Sequence, residues 1–233
     1  MIIPHVELNQ RGYMSELDIV RDLAKQVLII PILNGFYDSS FWDRAQRLVR
    51  SVENICKLPE LGKAGSQIDR FSLMTATYFN DAGLACNLKA GHSPDKFDNN
   101  GDNLLDDCRK IVEEKLSRFV GQAKIDTINK IIADSYSRSA IMTEAIILSD
   151  ARNLDDMGTT GVFSELKRYV AGGKGVSDAV NIWKRKVDYG YWQARLKESF
   201  RIESVRRLAE KRLLAVEAFM NQLQFENAAA DFE

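Results

Sequence analysis

The chain has 233 residues, 45% of them apolar and 28% charged, so it can bury a substantial core and is not expected to be disordered. Its formal net charge of −1 and pI near 6.2 provide no global basic field, so the composition does not indicate binding to nucleic acid or anionic lipid. We expect one domain over residues 1–233, with its core at about 15–226, a short N-terminal segment and a frayed C-terminal tail.

Cysteine usage and the apolar runs predict a cytoplasmic protein. Cys56, Cys86 and Cys108 form no CxxC pair and cannot all pair within one chain, which indicates a reducing compartment. The first residues lack the basic and apolar regions of a secretory signal. The longest apolar run, Val27 to Leu33, is far too short to cross a bilayer. No contact with a membrane is expected.

Apolar residues recur at the helical period through most of the chain, and strict two-residue alternation is scarce, so the predicted fold class is all-α. Ser15 is expected to cap the first helix, which ends before Pro31. The next helix is predicted to begin near Ser39 or Ser40. Further helices are predicted at Ile68–Phe79, Leu104–Val120, Ile125–Ala133, Ser139–Asn153, Val162–Val170 and Glu203–Glu226, with another after a Ser177 cap and a polar loop from Gly91 to Asn103. Together these elements predict a compact helical bundle.

Several short motifs resemble known sites only superficially. The acidic segment from Asp95 to Asp107 would place Lys96 at the first ligand position of a calcium loop, so we interpret it as an acidic surface loop. The run Gly172–Gly175 lacks the glycine spacing of a phosphate loop and is interpreted as a flexible turn. Only two histidines are present, His5 and His92, which restricts histidine-based metal or acid–base chemistry.

Two segments carry a family resemblance. Residues 144–158 read EAIILSDARNLDDMG, and residues 73–83 read LMTATYFNDAG. The first is similar to the stretch E-A-x-I-x-x-D-A-D-R-L-D-A-I-G, and the second to L-L-A-A-L-L-H-D-I-G, of the HD superfamily of metal-dependent phosphohydrolases. Asp43 to Val52 looks like that family's H-x-x-R-V helix, and the stretch from Arg207 to Arg212 resembles part of its closing helix. The likeness extends over about residues 41–226 and implies an HD-domain-like helical bundle.

The family's metal ligands are largely replaced in this chain. The resemblance places the first histidine on Arg44, the histidine of the His-Asp pair on Asn80, its aspartate on Asp81, and the last aspartate on Arg152. Asp150 aligns with an acid that we interpret as supporting rather than ligating. Because two permanent cations and an amide replace the usual ligands, an ordinary divalent metal site is not expected. Arg44, Asp81 and Arg152 are instead expected to converge there.

The resemblance and its departures predict a catalytically degenerate HD-domain protein without a metal cofactor. It is expected to bind a phosphorylated small molecule or nucleotide through Arg44, Asn80, Asp81, Asp150 and Arg152, or to bind a protein partner. Whether the chain is an enzyme is left open. The alternative is a phosphohydrolase in which Asp81 is catalytic and Asp81 and Asp150 hold Mn²⁺ or Mg²⁺. The family also implies a homodimer.

Two further interpretations stay open at this point. Both arginines are equally well explained as partners of Asp81 and other acids, which would leave a scaffold for a protein. Asp155 and Asp156 are adjacent on a predicted helix, so at most one of them is expected to face the same pocket as Asp81. An unrelated helical adaptor is the remaining hypothesis.

Overall fold

The computed structural model describes residues 15–32, 35–90 and 101–230, except the side chains of residues 63–66 and 101–102. The helices are α1 (Glu16–Leu28), α2 (Ser40–Ile55), α3 (Arg70–Phe79), α4 (Ala82–Lys89), α5 (Gly101–Leu116), α6 (Gln122–Asp134), α7 (Thr143–Asp156), α8 (Thr159–Ala171), α9 (Val176–Asp188), α10 (Tyr191–Ser199) and α11 (Glu203–Asn227). A 3₁₀ segment spans Pro59–Gln67, and the short strands β1 (Ile30–Pro31) and β2 (Tyr37–Asp38) pair in antiparallel fashion. The predicted all-α fold class is confirmed.

Helix α1 begins where the sequence predicts. The Ser15 hydroxyl accepts a hydrogen bond from the Asp18 backbone N–H at 3.2 Å, and the Asp18 carboxylate accepts one from the Ser15 N–H at 3.1 Å. This reciprocal pair satisfies two backbone donors at the helix start. The apolar face of α1, with Val20, Ala24 and Val27, is buried. The predicted Ser15 cap is therefore confirmed.

Helix α3 forms the centre of the bundle and positions the candidate site. It packs against α1, α2, α6 and α7, and almost every residue from Ser72 to Phe79 is buried. Asn80 and Asp81 follow directly, so both are buried in the interior. Helix α4 then begins, and a Cβ placed on Gly83 would lie 2.3 Å from the Leu104 carbonyl oxygen. Only glycine permits α5 to approach this closely. This contact positions the start of α4, directly after the candidate site.

The structure corrects three local predictions, and some residues of the sequence motifs are not described. Ser177 lies inside α9 and does not cap it; Gly175 occupies the N-cap position and donates its N–H to the Asp178 carboxylate at 2.9 Å. The polar loop was predicted to reach Asn103, but α5 already begins at Gly101. Helices α4 and α10 were not predicted separately, because both are short and follow interruptions of the apolar pattern. His5, His92 and residues 95–100 of the acidic segment lie outside the described residues.

The structure describes all three cysteines. Cys56, Cys86 and Cys108 are free thiols, and Cys56 and Cys108 are buried. Burial raises the pKa of the Cys108 thiol to about 12, so this group stays protonated near neutral pH.

Within the described ranges, no helix is both long and apolar enough to span a bilayer.

Candidate functional site

Three elements bring Arg44 and Asp81 together. Arg44 lies on α2, which packs against both α3 and α7, and Asp81 occupies the N-cap position of α4 immediately after α3. Arg44 Nη1 donates to both carboxylate oxygens of Asp81, at 2.9 and 2.8 Å. The Asp81 side chain is 3% exposed and that of Arg44 15% exposed. The contact is therefore a largely desolvated ion pair.

The Arg44 guanidinium also contacts two carboxylates at the end of α7. Its Nε donates to Asp155 at 3.3 Å, and its Nη2 donates to Asp156 at 3.1 Å. The prediction that at most one of these acids faces the site of Asp81 is wrong. Adjacent helical side chains do diverge, but the planar guanidinium presents donors along several directions and reaches both.

Two further arginines complete this group. Arg47 donates from Nε and Nη2 to the two oxygens of Asp155, at 2.8 and 3.1 Å. Arg195 donates to Asp156 at 3.0 Å. We call this group the arginine–aspartate cluster; its members are Arg44, Arg47, Arg195, Asp81, Asp155 and Asp156. Three permanent cations face three carboxylates, so the cluster carries little net charge.

Sequence reasoning missed the two outer arginines as site residues. Arg47 stands in the segment that resembles H-x-x-R-V, which is a signal that could have identified it. Arg195 lies on α10, a short helix with a weak apolar pattern, and nothing in the sequence relates it to Asp156. Its role follows only from tertiary packing.

The C-terminal end of α7 explains why arginines gather here. Asp155 and Asp156 occupy the last positions of the helix, where its dipole and free carbonyls are already negative. Arg212 of α11 adds a hydrogen bond to the Leu154 carbonyl at 2.8 Å. Burial opposes charging of Arg44, but Asp81, Asp156 and Asp155 hold its pKa well above the ordinary value. Arg44 is thus a fixed cation in a negative environment.

These residues do not fit a divalent metal ion. A metal site needs several carboxylates or imidazoles directed at one position, whereas Arg44 stands among the three aspartates of the cluster and engages each of them. Among the described residues, no group of three or more His, Cys, Asp or Glu side chains is arranged to hold a metal. The arginine–aspartate cluster is built around a guanidinium.

Arg152 is placed differently from Arg44. Its guanidinium carbon lies 3.6 Å from the centre of the Tyr136 ring, a cation–π stack. Its Nη1 makes two long contacts of 3.4 Å, to the carbonyl and the hydroxyl oxygen of Ser135. Its Nε is shielded from solvent and has no hydrogen-bond partner. Within the described ranges Arg152 pairs with no carboxylate, so it does not join Arg44 in binding Asp81.

The pKa of Tyr136 is affected both by Arg152 and by the Arg44–Asp81 pair. Burial raises the pKa of its phenol, the charge of Arg152 lowers it, and the charges of Asp81 and Arg44 act on it in opposite directions. The ring therefore lies within electrostatic reach of Arg152 on one hand and of the Arg44–Asp81 pair on the other. Sequence reasoning did not identify Tyr136, because a single tyrosine after a helix carries no motif.

Asn80 has one hydrogen bond and one unsatisfied atom. Its Nδ2 donates to Asp81 at 2.9 Å, but its Oδ1 is buried and accepts no hydrogen bond from the described residues. The side chain is 4% exposed. A buried acceptor without a donor is costly in a folded protein and is commonly found where a ligand or water binds.

Asp150 is buried away from the arginine–aspartate cluster. Its carboxylate accepts hydrogen bonds from the backbone N–H of Arg201, at 3.2 Å to each oxygen, and of Ile202, at 2.8 Å. These are the residues immediately before α11. Burial raises the pKa of Asp150 to about 6, although the two backbone donors favour its ionised form. The structure therefore does not bring Asp150 together with Asp81, and gives it a supporting contact instead.

One groove lies away from these residues. It has a volume of about 620 Å³ and is lined by Lys25, Gln26, Ile29, Pro31, Tyr37 and Lys89. None of the predicted site residues lines it. Its Lys89 is engaged, since it donates to the carbonyls of Gln26 and Val27 at the end of α1. We attach no ligand to this groove.

The fold and this site define an all-helical protein with an arginine–aspartate cluster between α2, the α3–α4 junction and α7. The crystal structure of YpgQ from Bacillus subtilis in complex with ADP is similar, with a TM-score of 0.58 and 19% sequence identity over 91% of this chain and 97% of YpgQ. At this identity the similarity shows the fold alone. No protein-family model and no curated protein matches the chain.

Proposed function

We propose that this protein is a metal-free, catalytically degenerate HD-like module that binds a phosphorylated small molecule, of which a nucleoside diphosphate is the best candidate. The observation that carries the proposal is the state of Arg152. It is a partly buried guanidinium that pairs with no carboxylate of the described residues and leaves Nε without a partner. Arginine in this state favours phosphate, whose oxygens match its fork of donors.

The arginine–aspartate cluster supports the absence of metal chemistry. The resemblance assigns to Arg44 the position of the first metal-binding histidine, and the structure engages Arg44 with Asp81, Asp155 and Asp156. Asp81 would have to release Arg44 before it could ligate a cation. The charges of the cluster therefore nearly cancel, and its side chains are held by their own ion pairs. The negative charge of a ligand is bound by Arg152.

The ligand class rests on charge and on the structural neighbour. ADP is bound in the YpgQ crystal structure, and the two chains share their fold over most of their lengths. A phosphate group would supply a negative counter-charge for the Arg152 guanidinium. Because Arg44, Arg47 and Arg195 are already paired, Arg152 is the arginine of the candidate site that is left for an anion.

A retained phosphohydrolase is the second candidate, and one observation favours it. Asp81, Asp155 and Asp156 each contact a different nitrogen of the Arg44 guanidinium, so three carboxylates lie within reach of one side chain. If Arg44 moved away, Mn²⁺ or Mg²⁺ would find oxygen ligands there. This candidate requires breaking a buried ion pair, which is why we rank it second.

The proposal is tested by thermal denaturation with ADP in the presence of EDTA. ADP at a hundred times its dissociation constant should stabilise the fold by about 2.7 kcal/mol without any metal. Adenosine, which lacks phosphate, is the control and should stabilise much less. A response to ADP that appears only when Mn²⁺ or Mg²⁺ is added would favour the hydrolase. No response under either condition would overturn the proposal and favour a scaffold for a protein partner.

A further inference from the structure

Tyr136, in the loop between α6 and α7, stacks on Arg152 of α7, and we propose that this stack is the ligand-contacting surface: Arg152 binds a phosphate oxygen and the Tyr136 ring stacks on a planar base. This inference rests on the proposed function and names the ligand class as a nucleotide rather than a simple phosphoester. Tyr136 and Arg152 approach to 3.6 Å, and neither belongs to the arginine–aspartate cluster.

The donors of Arg152 are under-used. An arginine has five N–H donors, but Arg152 makes only two hydrogen bonds with the described residues, both from Nη1 and both 3.4 Å long. Contacts of this length are weak, since N–H···O bonds are usually near 2.9 Å. Nη2 has no partner among the described residues, and Nε is unpartnered as well. Because Nε is shielded from solvent, Nη2 is the donor that is left for an oxyanion.

Nearby acids are unavailable to neutralise Arg152. Asp81 is held by Arg44 at 2.8 Å, and Asp150, two residues before Arg152 on α7, is held by the backbone N–H groups of Arg201 and Ile202. The positive charge of Arg152 is therefore not cancelled by either residue. An anionic ligand would provide the missing counter-charge.

Tyr136 is an aromatic residue that is partly exposed beside Arg152. The residue is 47% exposed, and the Arg152 guanidinium lies over its ring. Nucleobases stack on tyrosine rings in many nucleic-acid-binding proteins. A cation and an aromatic ring in contact suit a ligand that combines a phosphate with a planar base. Inorganic phosphate would use only the first of these features.

Asn80 adds a second unsatisfied atom to the candidate site. Its buried Oδ1 accepts no hydrogen bond from the part of the chain that the structure describes, and Asn80 neighbours Asp81, whose charge acts on the Tyr136 phenol. Arg152 leaves a donor open and Asn80 leaves an acceptor open. Unsatisfied polar atoms of both kinds are expected where a ligand with both acceptors and donors binds.

The test is calorimetric titration in EDTA of ADP, pyrophosphate and adenosine into the wild type and four variants. Arg152→Gln should weaken ADP binding by about 10- to 100-fold, the loss expected for charged hydrogen bonds. Tyr136→Ala should weaken ADP by about tenfold and leave pyrophosphate unchanged, while Tyr136→Phe should bind ADP nearly as the wild type does. Arg138→Gln is the control, because Arg138 is exposed in the same loop and paired with Glu198.

The outcomes separate this inference from the proposed function. Wild-type affinity for ADP in a folded Arg152→Gln variant, checked by circular dichroism, would overturn the inference but leave the proposed function standing. Equal losses for pyrophosphate and ADP in Tyr136→Ala would remove the stacking role. If the wild type bound neither ADP nor pyrophosphate, both the inference and the proposed function would fail.

Discussion

Replacing Arg44 with methionine should destabilise the protein by about 3–5 kcal/mol, because it leaves buried carboxylates without their cation. Arg47 and Arg195 still accompany Asp155 and Asp156 in this variant. Asp81 keeps only the hydrogen bond from Asn80, although its side chain is 3% exposed. The cost therefore arises mainly at Asp81. Urea denaturation followed by circular dichroism measures it.

A matched control and a double variant locate the origin of this effect. Arg21→Met removes an exposed pair with Asp18 and should cost less than about 1 kcal/mol. Asp81→Asn in the Arg44→Met background should recover part of the lost stability, because it removes the uncompensated charge. An Arg44→Met cost no larger than that of Arg21→Met would contradict the description of the cluster as a buried ion-pair network.

Replacing Asp150 with alanine should cost about 2–4 kcal/mol, because it leaves two backbone donors without an acceptor. The N–H groups of Arg201 and Ile202 both donate to Asp150 at the start of α11. Losing these bonds should loosen the contact between α7 and α11. Hydrogen exchange at the amides of Arg201 and Ile202 reports this directly. Unchanged protection would show that the carboxylate does not order this junction.

Asp150 should also make stability depend on pH with a defined sign. Burial raises its pKa to about 6 in the folded chain, above the ordinary value of 3.8. The folded state thus holds the proton more tightly, so the stabilisation from this group is full below about pH 4 and is lost as pH rises through about 6. The stability of the wild type relative to Asp150→Asn should fall by roughly 3 kcal/mol between pH 4 and 7. A flat or rising difference would contradict this.

The sequence predicted the long helices and missed the short ones. Helices α1, α2, α7 and α11 have caps, apolar stripes or both, which can be recognised without tertiary information. Helices α4 and α10 have weak apolar patterns and depend on packing. The Ser177 cap failed because Gly175, with the Asp178 carboxylate on its N–H, begins α9 two residues earlier.

The sequence predicted the contact between Arg44 and Asp81 but not the contact that Arg152 makes. The motif comparison brought together Arg44 and Asp81, and the structure places them in direct contact. It gave Arg152 the same partner, but tertiary packing stacks Arg152 on Tyr136 instead. The acidic residue with which an arginine pairs depends on which helices pack together. The packing of α10 against α7 is a tertiary contact that the local sequence does not indicate.

The arginine–aspartate cluster joins several elements of the helical bundle through one central charge. A metal ion would join side chains of several helices by one central charge. Arg44 of α2 joins α7 and the α3–α4 junction by the same means, as one cation shared among three carboxylates.

The most direct test of the account is a titration of the purified protein with Mn²⁺, in which electron paramagnetic resonance measures the free ion. Because Arg44 occupies the position among Asp81, Asp155 and Asp156, we predict no stoichiometric site for Mn²⁺ in the wild type. One Mn²⁺ bound per chain in the wild type, and lost in Asp81→Asn, would contradict the account and show that this bundle retains a metal centre.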